Sequence, residues 1–166
     1  MKSGYLYYIE HLNLEPHPEG GYYRENYRSP DWLECLPLRY RGKRNASTSI
    51  YYLLTGDQFS AFHKVRSDEI WHFYDGCCLN LFIIDKSDKV VNRKLGRNPD
   101  KNEQFQLVIP HDHWFAAQPA DPQGFTLAGC TVAPGFDFGD FNLGERNELI
   151  RQYPGHAEII RKYTRI

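Results

Sequence analysis

The sequence lacks the features that mark membrane, secreted or nucleic-acid-binding proteins. None of its apolar runs approaches the ~18 to 20 residues that a membrane-spanning helix needs. The opening MKSGYLYYIEHLNLE has no signal-peptide core, because Glu10 and His11 interrupt its apolar residues. The formal net charge of -1 gives no general attraction to nucleic acid or to anionic lipid. We therefore expect a cytoplasmic protein with no membrane partner and no nucleic-acid partner.

One short basic run is the exception to this balanced charge. Its four cations are interleaved with Tyr40 and Gly42, which is typical of a solvated hairpin rather than of a surface that binds nucleic acid. The run consists of Arg39, Arg41, Lys43 and Arg44.

Cysteine is scarce and shows no metal-binding or redox spacing. Cys35, Cys77, Cys78 and Cys130 include no CxxC pair, and a bridge between the adjacent Cys77 and Cys78 would be strained. Reduced thiols fit a cytosolic protein. The 41% of hydrophobic residues, with 15% aromatic, is enough to fill one core in a chain of 166 residues. We expect a single domain over residues 1–166.

Short strands dominate the predicted secondary structure. About nine runs rich in Tyr, Phe, Val, Ile and Thr are separated by Gly, Pro, Asn and Asp. Strands at this spacing without intervening helices favour an all-β sandwich or closed barrel. The runs are GYYRENYRS, STSIYYLLT, FSAFHKV, EIWHFY, LNLFIID, VVNRKL, EQFQLVIP, HWFAAQ and FTLAGCTV.

Helices are predicted only at the two ends of the chain. Residues 5, 8, 9 and 12 are apolar at helical spacing, which predicts a short amphipathic N-terminal helix. Residues 145–153 and 157–163 also have helical spacing, and Pro154-Gly155 divides them into two C-terminal helices. About 25 residues cannot build a separate core, so these helices should brace the outside of the β domain.

The segment FHKVRSDEIWHFYDG, residues 62–76, carries the strongest functional signal. Side chains two apart on a strand share a face, so after a turn at Ser67-Asp68 the Glu69 and Trp71 side chains project together. If that face is interior, His63 and Glu69 meet in an aromatic cavity of low polarity that perturbs both proton affinities. His72 would point the other way unless a bulge intervenes.

The same segment resembles the first motif of the cupin superfamily. That motif has two histidines one residue apart, a glutamate four residues further on and a glycine seven beyond it. His63, Glu69 and Gly76 match these positions, whereas Val65 stands where the second histidine belongs.

The second cupin motif is only partly matched. Its Pro-x-Gly turn and third histidine resemble Pro110, Asp112 and Phe115, so both the glycine and the histidine are missing. Other stretches are similar to the uncharacterised, single-domain cupin-5 family: HPEGGYYRENYRS from residue 17, WFAAQ from residue 114 and CTVAPGFDFGDF from residue 130. The resemblance implies a cupin double-stranded β-helix, or jelly-roll barrel, with a short N-terminal helix and C-terminal helices. It also implies a homodimer.

His63 and Glu69 are the candidate catalytic residues. An imidazole that titrates near neutral pH beside a carboxyl group can exchange protons with a substrate. From periodicity alone, a hydrogen-bonded core histidine and a strand-end carboxylate are the more ordinary interpretation, and the cupin resemblance reverses that preference.

No cofactor is firmly indicated, although a weakly bound divalent metal is possible in principle. A tight transition-metal site usually has at least three protein ligands, and only two family ligands are retained. His63, Glu69 and His72 are the metal-ligand candidates, and His111 or His113 are alternatives to His72.

A small-molecule ligand is the expected partner, because aromatic walls with a few fixed polar groups are typical of small-ligand sites. Gly20 and Gly21 in HPEGG predict a β-turn or bulge, and Arg24 on the following strand is a candidate clamp for an anionic group. Gln104 and Gln106 share one face of their run and could supply polar contacts. The ligand-binding candidates are Arg24, Ser60, Trp71, Gln104, Gln106, Trp114, Phe115 and Phe136.

Three functions remain open. The first is an isomerase or epimerase that acts on a sugar-like or sugar-phosphate substrate, with His63 removing a proton next to a carbonyl and Glu69 orienting or protonating. The second is a non-catalytic cupin that binds a sugar or another small ligand and has lost the full metal site. The third is a metal-dependent dioxygenase or a similar oxidative cupin, which requires iron-level occupancy. A shared fold cannot choose among them.

Overall fold

The computed structural model describes residues 4–165, and within that range the chain is built mainly of strands. In chain order the elements are helix α1 (Tyr5–His11), strands β1 (Glu15–Pro16), β2 (Tyr22–Arg28), β3 (Trp32–Leu33), β4 (Arg44–Asn45), β5 (Thr48–Thr55), β6 (Ser60–Val65), β7 (Asp68–Gly76), β8 (Leu79–Ile84), β9 (Val90–Leu95), β10 (Glu103–Gln104), β11 (Gln106–Ile109), β12 (Trp114–Pro119), β13 (Phe125–Ala133) and β14 (Phe141–Leu143), and helices α2 (Arg146–Gln152) and α3 (Ala157–Lys162). Short 3-10 helices cover Pro99–Lys101, Phe138–Asp140 and Pro154–His156.

Two six-stranded sheets form a jelly-roll sandwich. The first has the strand order β1-β2-β5-β13-β7-β11, and the second has the order β10-β9-β8-β12-β6-β14. Their neighbouring strands are antiparallel, except that β10 and β9 run parallel. In the described residues the two sheets stay separate and do not close into one continuous barrel. The predicted all-β architecture is therefore confirmed as a sandwich with open sheet edges.

The main core lies between the sheets because alternate residues of both sheets point inward. Trp71 from the first sheet and Leu81 and Phe115 from the second are almost completely buried there. A second apolar cluster lies outside the second sheet, where Phe62 packs beneath Ile160 and Tyr163 of the C-terminal segment. The C-terminal helices therefore brace the sandwich as predicted.

The N-terminal helix covers part of the outer face of the first sheet. Tyr8, Ile9 and Leu12 pack against Leu53 and Leu127 from the central strands. This contact explains three of the four apolar positions at helical spacing, because one helical stripe meets one sheet face, whereas Tyr5 is exposed.

All nine predicted runs contain strands, but one of them divides between the two sheets. In EQFQLVIP, β10 joins the second sheet and β11 joins the first, with Phe105 between them 55% exposed. The short strands β1, β3, β4 and β14 were not predicted, since two or three residues are too few to show an alternating pattern.

The basic run is not a fully solvated hairpin, because Arg44 is buried. Its guanidinium donates two hydrogen bonds of 2.7 Å to the carboxylate of Asp140, which is 1% exposed. Arg44 Nη1 also donates hydrogen bonds to the main-chain carbonyls of Arg41 and Lys43 in the same loop. The bidentate pairing with Asp140 offsets the cost of burying the Arg44 charge. Asp140 is distant in sequence, so the basic run alone gave no sign of this pairing.

Two further features concern the part of the chain that the structure describes. No helix among residues 4–165 has the length and apolar character required to traverse a bilayer. All four cysteines are free thiols, and Cys130 is buried in the core.

Candidate functional site

A cavity of about 340 Å³ opens inside the sandwich, lined by the first sheet, by β6 and β14 of the second sheet, and by the two loops that follow β1 and β13. Its volume is in the lower part of the range for small-ligand sites. The lining residues are Glu15, His17, Glu19, Tyr23, Arg24, Glu25, Arg28, Thr48, Ile50, Tyr52, His63, Val65, Glu69, Trp71, Cys130, Val132, Phe136, Phe138 and Phe141.

His63 is held in one tautomer at the cavity wall. Its Nδ1 lies 2.8 Å from the carbonyl oxygen of Ala61, which can only accept, so Nδ1 carries a hydrogen. The ring packs on Phe115, with the ring centres 4.1 Å apart. Nε2 is therefore the atom at which this imidazole gains or loses a proton, and it lies 3.2 Å from Glu19 Oε2.

Glu19 is a buried carboxylate that sequence analysis missed. It belongs to the HPEGG segment, which was interpreted as a turn, and its Oε1 accepts a hydrogen bond of 2.9 Å from Ser60. Its main-chain carbonyl accepts hydrogen bonds from Ala61 N at 3.0 Å and from Arg165 Nη2 at 2.9 Å. The loop is thereby fixed against β6, and the carboxylate reaches the His63 ring.

Gly20 allows the loop to approach so closely. Its φ of +119° is strained for any residue with a side chain, and a Cβ at this position would collide with the Phe59 main-chain carbonyl. The carbonyl of Gly20 accepts a 2.6 Å hydrogen bond from the Tyr52 hydroxyl inside the sandwich. The Gly20-Gly21 turn therefore positions the Glu19 side chain in the cavity.

Glu69 lies in the same cavity but in a different environment. It is 8% exposed on β7. Burial raises its pKa to about 8, and the negative charge of Glu19 adds to this rise, while contacts with Cys130 and Trp71 offset part of it. At neutral pH this carboxyl group is mostly protonated. The cavity therefore contains a neutral acid beside a histidine that is paired with another carboxylate.

Trp71 brings an unpartnered donor to the cavity. The side chain is 1% exposed, and its indole ring meets the Tyr52 ring edge-on at 5.4 Å. The indole Nε1 is buried without a hydrogen-bond acceptor. Its proximity to the Glu69 carboxyl affects the pKa of that group, but the contact falls outside hydrogen-bond geometry.

His17 and the aromatic rings of Tyr23 and Phe138 form another part of the cavity wall. The main-chain N–H of Glu19 donates to His17 Nδ1 at 3.3 Å, and burial lowers the pKa of this histidine. Its ring stacks on Phe138 and meets Tyr23 edge-on. His17 therefore contributes a neutral, mainly packing surface.

The arginine at the rim is already neutralised. Arg28 donates two hydrogen bonds to the Glu25 carboxylate, at 2.9 and 2.7 Å, and further bonds to Asn45 Oδ1 and the Phe136 carbonyl. This network orders the cavity mouth.

Several predicted site residues come together at this cavity. His63, Glu69, Trp71 and Phe136 line it. Among the described residues, no hydrogen bond or ion pair joins His63 to Glu69, because Glu19 takes the place beside the imidazole. Two further candidates do not line the cavity but contact residues that do. Ser60 donates a hydrogen bond to the Glu19 carboxylate, and Phe115 packs on the His63 ring.

Arg24 lines the cavity from strand β2. Along β2 it alternates with Tyr23, which packs against the inner core. Tyr22, on the same face as Arg24, packs instead in the outer cluster beneath α1. Alternation along β2 therefore places the Arg24 side chain on the face opposite to Tyr23.

Two more candidates lie together on the outer face of the first sheet. His72 Nε2 lies 3.0 Å from Thr131 Oγ1, and the Gln106 amide lies 3.0 Å from His72 Nδ1. The pKa of His72 is lowered by burial. No bulge turns His72 inward, because the register shift on β7 falls beyond Phe73.

The last two candidates belong to the second sheet and also lie away from the cavity. Gln104 is exposed beside Arg93, 3.3 Å from its guanidinium. Trp114 packs in the outer cluster under the C-terminal helices, with Lys64 Nζ 4.7 Å above its ring. Alternation along a strand shows which residues share a face, but it does not show which of the two faces is interior. The sequence therefore did not reveal that both side chains point away from the cavity.

The donor set does not fit a protein-bound metal ion. Among residues 4–165, no three His, Cys, Asp or Glu side chains are grouped in a way that could hold one. Of the three proposed ligands, His72 faces outward, and His63 Nε2 is engaged by Glu19. His111 and His113 lie outside the cavity lining, where they bond Asp68 and a main-chain carbonyl.

Two facing antiparallel sheets around an inner cavity are the architecture of the cupin superfamily. Residues 6–144 match the sequence family described as Cupin_5, Cupin superfamily (DUF985), and the chain belongs to that family. It is 32% identical over 158 residues to the uncharacterized protein YML079W of Saccharomyces cerevisiae, covering 89% of this chain and 78% of that protein.

Two solved structures are similar over nearly their whole length. The protein SO0799 from Shewanella oneidensis is 34% identical, with a TM-score of 0.88 and 98% of each chain covered. A hypothetical protein from Leishmania major is 31% identical, with a TM-score of 0.91, covering 99% of this chain and 100% of that one. These likenesses support the family and the fold.

Proposed function

We propose that this chain is an isomerase or epimerase that acts on a small sugar-like or sugar-phosphate carbonyl compound by acid-base chemistry. The observation that carries the proposal is the pair of carboxyl groups with opposite roles in one cavity. Glu69 is held neutral by burial, whereas Glu19 pairs with His63 at 3.2 Å. Titratable groups whose environments separate their protonation states are typical of acid-base sites.

The residues support a complete proton transfer. In its neutral form, His63 Nε2 takes the proton from the carbon beside the substrate carbonyl, and the Glu19 carboxylate stabilises the resulting imidazolium. The electron pair of the broken C–H bond forms a C=C bond, the carbonyl π pair moves to oxygen, and Glu69 donates its proton there to give an enediol. To give the isomer, the Glu69 carboxylate takes the proton of the neighbouring hydroxyl while the His63 imidazolium protonates the former carbonyl carbon. To give the epimer, Glu69 takes back the proton that it donated, and the imidazolium protonates the original carbon after the enediol has turned its other face to His63.

The cavity wall favours a ring or chain of monosaccharide size. A volume of about 340 Å³ suits such a molecule, and Trp71, Phe136 and Phe141 provide aromatic surfaces around it. Sugar faces pack well on aromatic rings because their C–H groups form apolar patches. These features support a sugar-like ligand and leave its identity to a screen.

Solvent deuterium incorporation tests the proposal without knowledge of the product. We expect NMR in D2O to show protein-dependent exchange at a carbon next to the carbonyl of at least one aldose, ketose or sugar phosphate. His63→Asn and Glu69→Gln should each lower the exchange rate by about 10²-fold or more. His72→Asn, a matched histidine variant on the outer face, should leave the rate unchanged.

A non-catalytic cupin that binds small ligands is the second candidate. Val65 and Phe115 stand where the resemblance places two metal-binding histidines, and both are buried apolar groups beside His63. This candidate is favoured if a sugar or sugar phosphate binds and is recovered unchanged. Absence of exchange with every bound compound, with and without added divalent metals, would remove the enzyme proposal.

We also propose a homodimer formed through a sheet edge. Strand β11 lies at the end of its sheet, and Val108 on it is 56% exposed. Pairing the same edge strand from two copies in antiparallel fashion is compatible with two-fold symmetry. Sedimentation should show a dimer that Val108→Lys converts to monomer, while Val91→Lys on β9 should not.

A further inference from the structure

We propose that the Trp71 indole N–H and the Glu69 carboxyl together form the subsite for one acceptor oxygen of the ligand, the carbonyl oxygen that becomes an enolate during the reaction. The inference rests on the proposed function and deepens it, because it assigns the part of the cavity that receives the reacting oxygen.

The unpartnered indole N–H is the first support. Buried polar groups in folded proteins nearly always have hydrogen-bond partners, and an unsatisfied buried donor costs about 1 to 3 kcal/mol. Among residues 4–165, only Trp71 Nε1 and Gln58 Oε1 are buried side-chain atoms without a partner, and only the first is a donor. Trp71 lines the cavity, so a ligand oxygen bound there can accept the hydrogen bond that the Glu69 carboxyl does not take in this geometry.

The second support is the position of Glu69 two residues before Trp71. Residues two apart on a strand share a face, and both side chains line the cavity from β7. A protonated carboxyl group is a donor as well as an acceptor. Two donors from one strand therefore face the same part of the cavity.

Three other donors at or next to the cavity already have acceptors. The Tyr52 hydroxyl donates to the Gly20 carbonyl, and the Ser60 hydroxyl donates to Glu19. His63 Nδ1 is engaged by the Ala61 carbonyl. These three donors are therefore already engaged, whereas the Trp71 indole N–H is buried without an acceptor.

The chemistry of the proposed step matches this pair. When His63 removes a proton beside the carbonyl, negative charge develops on the carbonyl oxygen. Buried donors that already point to that oxygen stabilise the charge without reorganisation, and each is worth about 10²- to 10³-fold in rate. A carboxyl group kept neutral by its surroundings can serve as such a donor. Glu69 would therefore bind the oxygen first and protonate it second.

The test uses 4-nitrophenolate, a small aromatic oxyanion whose absorbance reports its ionisation. We expect it to bind the intact protein at pH 7.5, and Trp71→Phe to weaken its binding by tenfold or more. The phenyl ring preserves most of the packing but has no N–H. Trp114→Phe is the matched control, since that indole lies outside the cavity, and it should bind as the unmodified protein does.

A second measurement needs no variant. In a ¹⁵N-¹H spectrum, we expect the Trp71 indole signal to shift on addition of 4-nitrophenolate, while the Trp32 and Trp114 indole signals stay in place. An unmoved Trp71 signal, equal affinity of Trp71→Phe, or no binding at millimolar concentration would each overturn the subsite.

The outcomes separate the subsite from the proposed function. If 4-nitrophenolate binding depends on Trp71 but no carbonyl compound exchanges deuterium, the subsite stands and the enzyme proposal fails. If a compound exchanges and Trp71→Phe retains the full rate, the enzyme proposal stands and the subsite fails.

Discussion

Glu69→Gln should make the protein progressively more stable than the unmodified chain as pH rises from 5 to 8. The folded protein holds the Glu69 carboxyl neutral, because burial and the Glu19 charge raise its pKa from 4.5 to about 8. The unfolded chain ionises it near its ordinary value. Unfolding therefore releases a proton between these two values, and rising pH favours the unfolded state. Glutamine has the same shape and does not titrate, so it removes this pH-dependent cost.

The magnitude follows from the separation of the two pKa values. Each unit of separation corresponds to about 1.4 kcal/mol, which gives about 5 kcal/mol when the whole interval has been crossed. Between pH 5 and pH 7 the free energy of unfolding of the variant should rise relative to that of the unmodified protein by about 2.5 kcal/mol. This value exceeds the error of a urea titration, so the effect can be measured directly.

Urea unfolding at pH 5, 6, 7 and 8 measures it, with both proteins at one ionic strength. Glu158→Gln is the control, because Glu158 is an exposed carboxylate on α3, and its effect should stay within about 0.5 kcal/mol at every pH. A difference between Glu69→Gln and the unmodified protein that does not change with pH would show that Glu69 ionises in the folded state. The neutral acid in the cavity would then be refuted, whatever the substrate.

Three further predictions concern the residues around the cavity. Glu19→Gln removes the negative charge that helps to raise the pKa of Glu69, so ¹³C NMR should show the Glu69 carboxyl titrating at lower pH; an unchanged titration would separate the two carboxyls. Gly20→Ala should cost about 2 kcal/mol or more in urea unfolding, because φ is +119° and a Cβ meets main-chain carbonyl oxygen; a neutral effect would contradict this loop geometry. Asp140→Asn should cost about 3 kcal/mol or more, since it leaves the buried Arg44 guanidinium without its carboxylate, and a loss below 1 kcal/mol would contradict the buried pair.

The fold could be predicted because each strand and its turns leave a local pattern. Alternation and turn residues marked the nine long strands, and helical spacing marked both ends of the chain. Strand pairing across the sandwich depends on contacts distant in sequence, so the split of EQFQLVIP between two sheets had no local signal. The same limit hid Arg44, whose partner lies 96 residues away.

Strand alternation predicted the site residues that lie on strands, but not those that come from loops. It placed His63, Glu69 and Trp71 in one space and turned His72 away, because these residues lie on two consecutive strands. It could not find Glu19, which comes from a loop 44 residues before His63 and approaches through a Gly-Gly turn. A carboxylate directly before two glycines was the available signal, and it becomes informative only once that loop is known to contact β6.

The pairing of His63 with Glu19 explains how a cupin cavity can retain one motif histidine without the rest of the motif. An imidazole that serves as a metal ligand must present a free Nε2 or Nδ1 to the ion. Here Nδ1 bonds a main-chain carbonyl and Nε2 faces a carboxylate at 3.2 Å, while Val65 and Phe115 fill the remaining motif positions with apolar surface. Such an imidazole has no ring nitrogen left free for a metal ion. These apolar groups add to the burial around the cavity, and burial is the main cause that raises the pKa of Glu69.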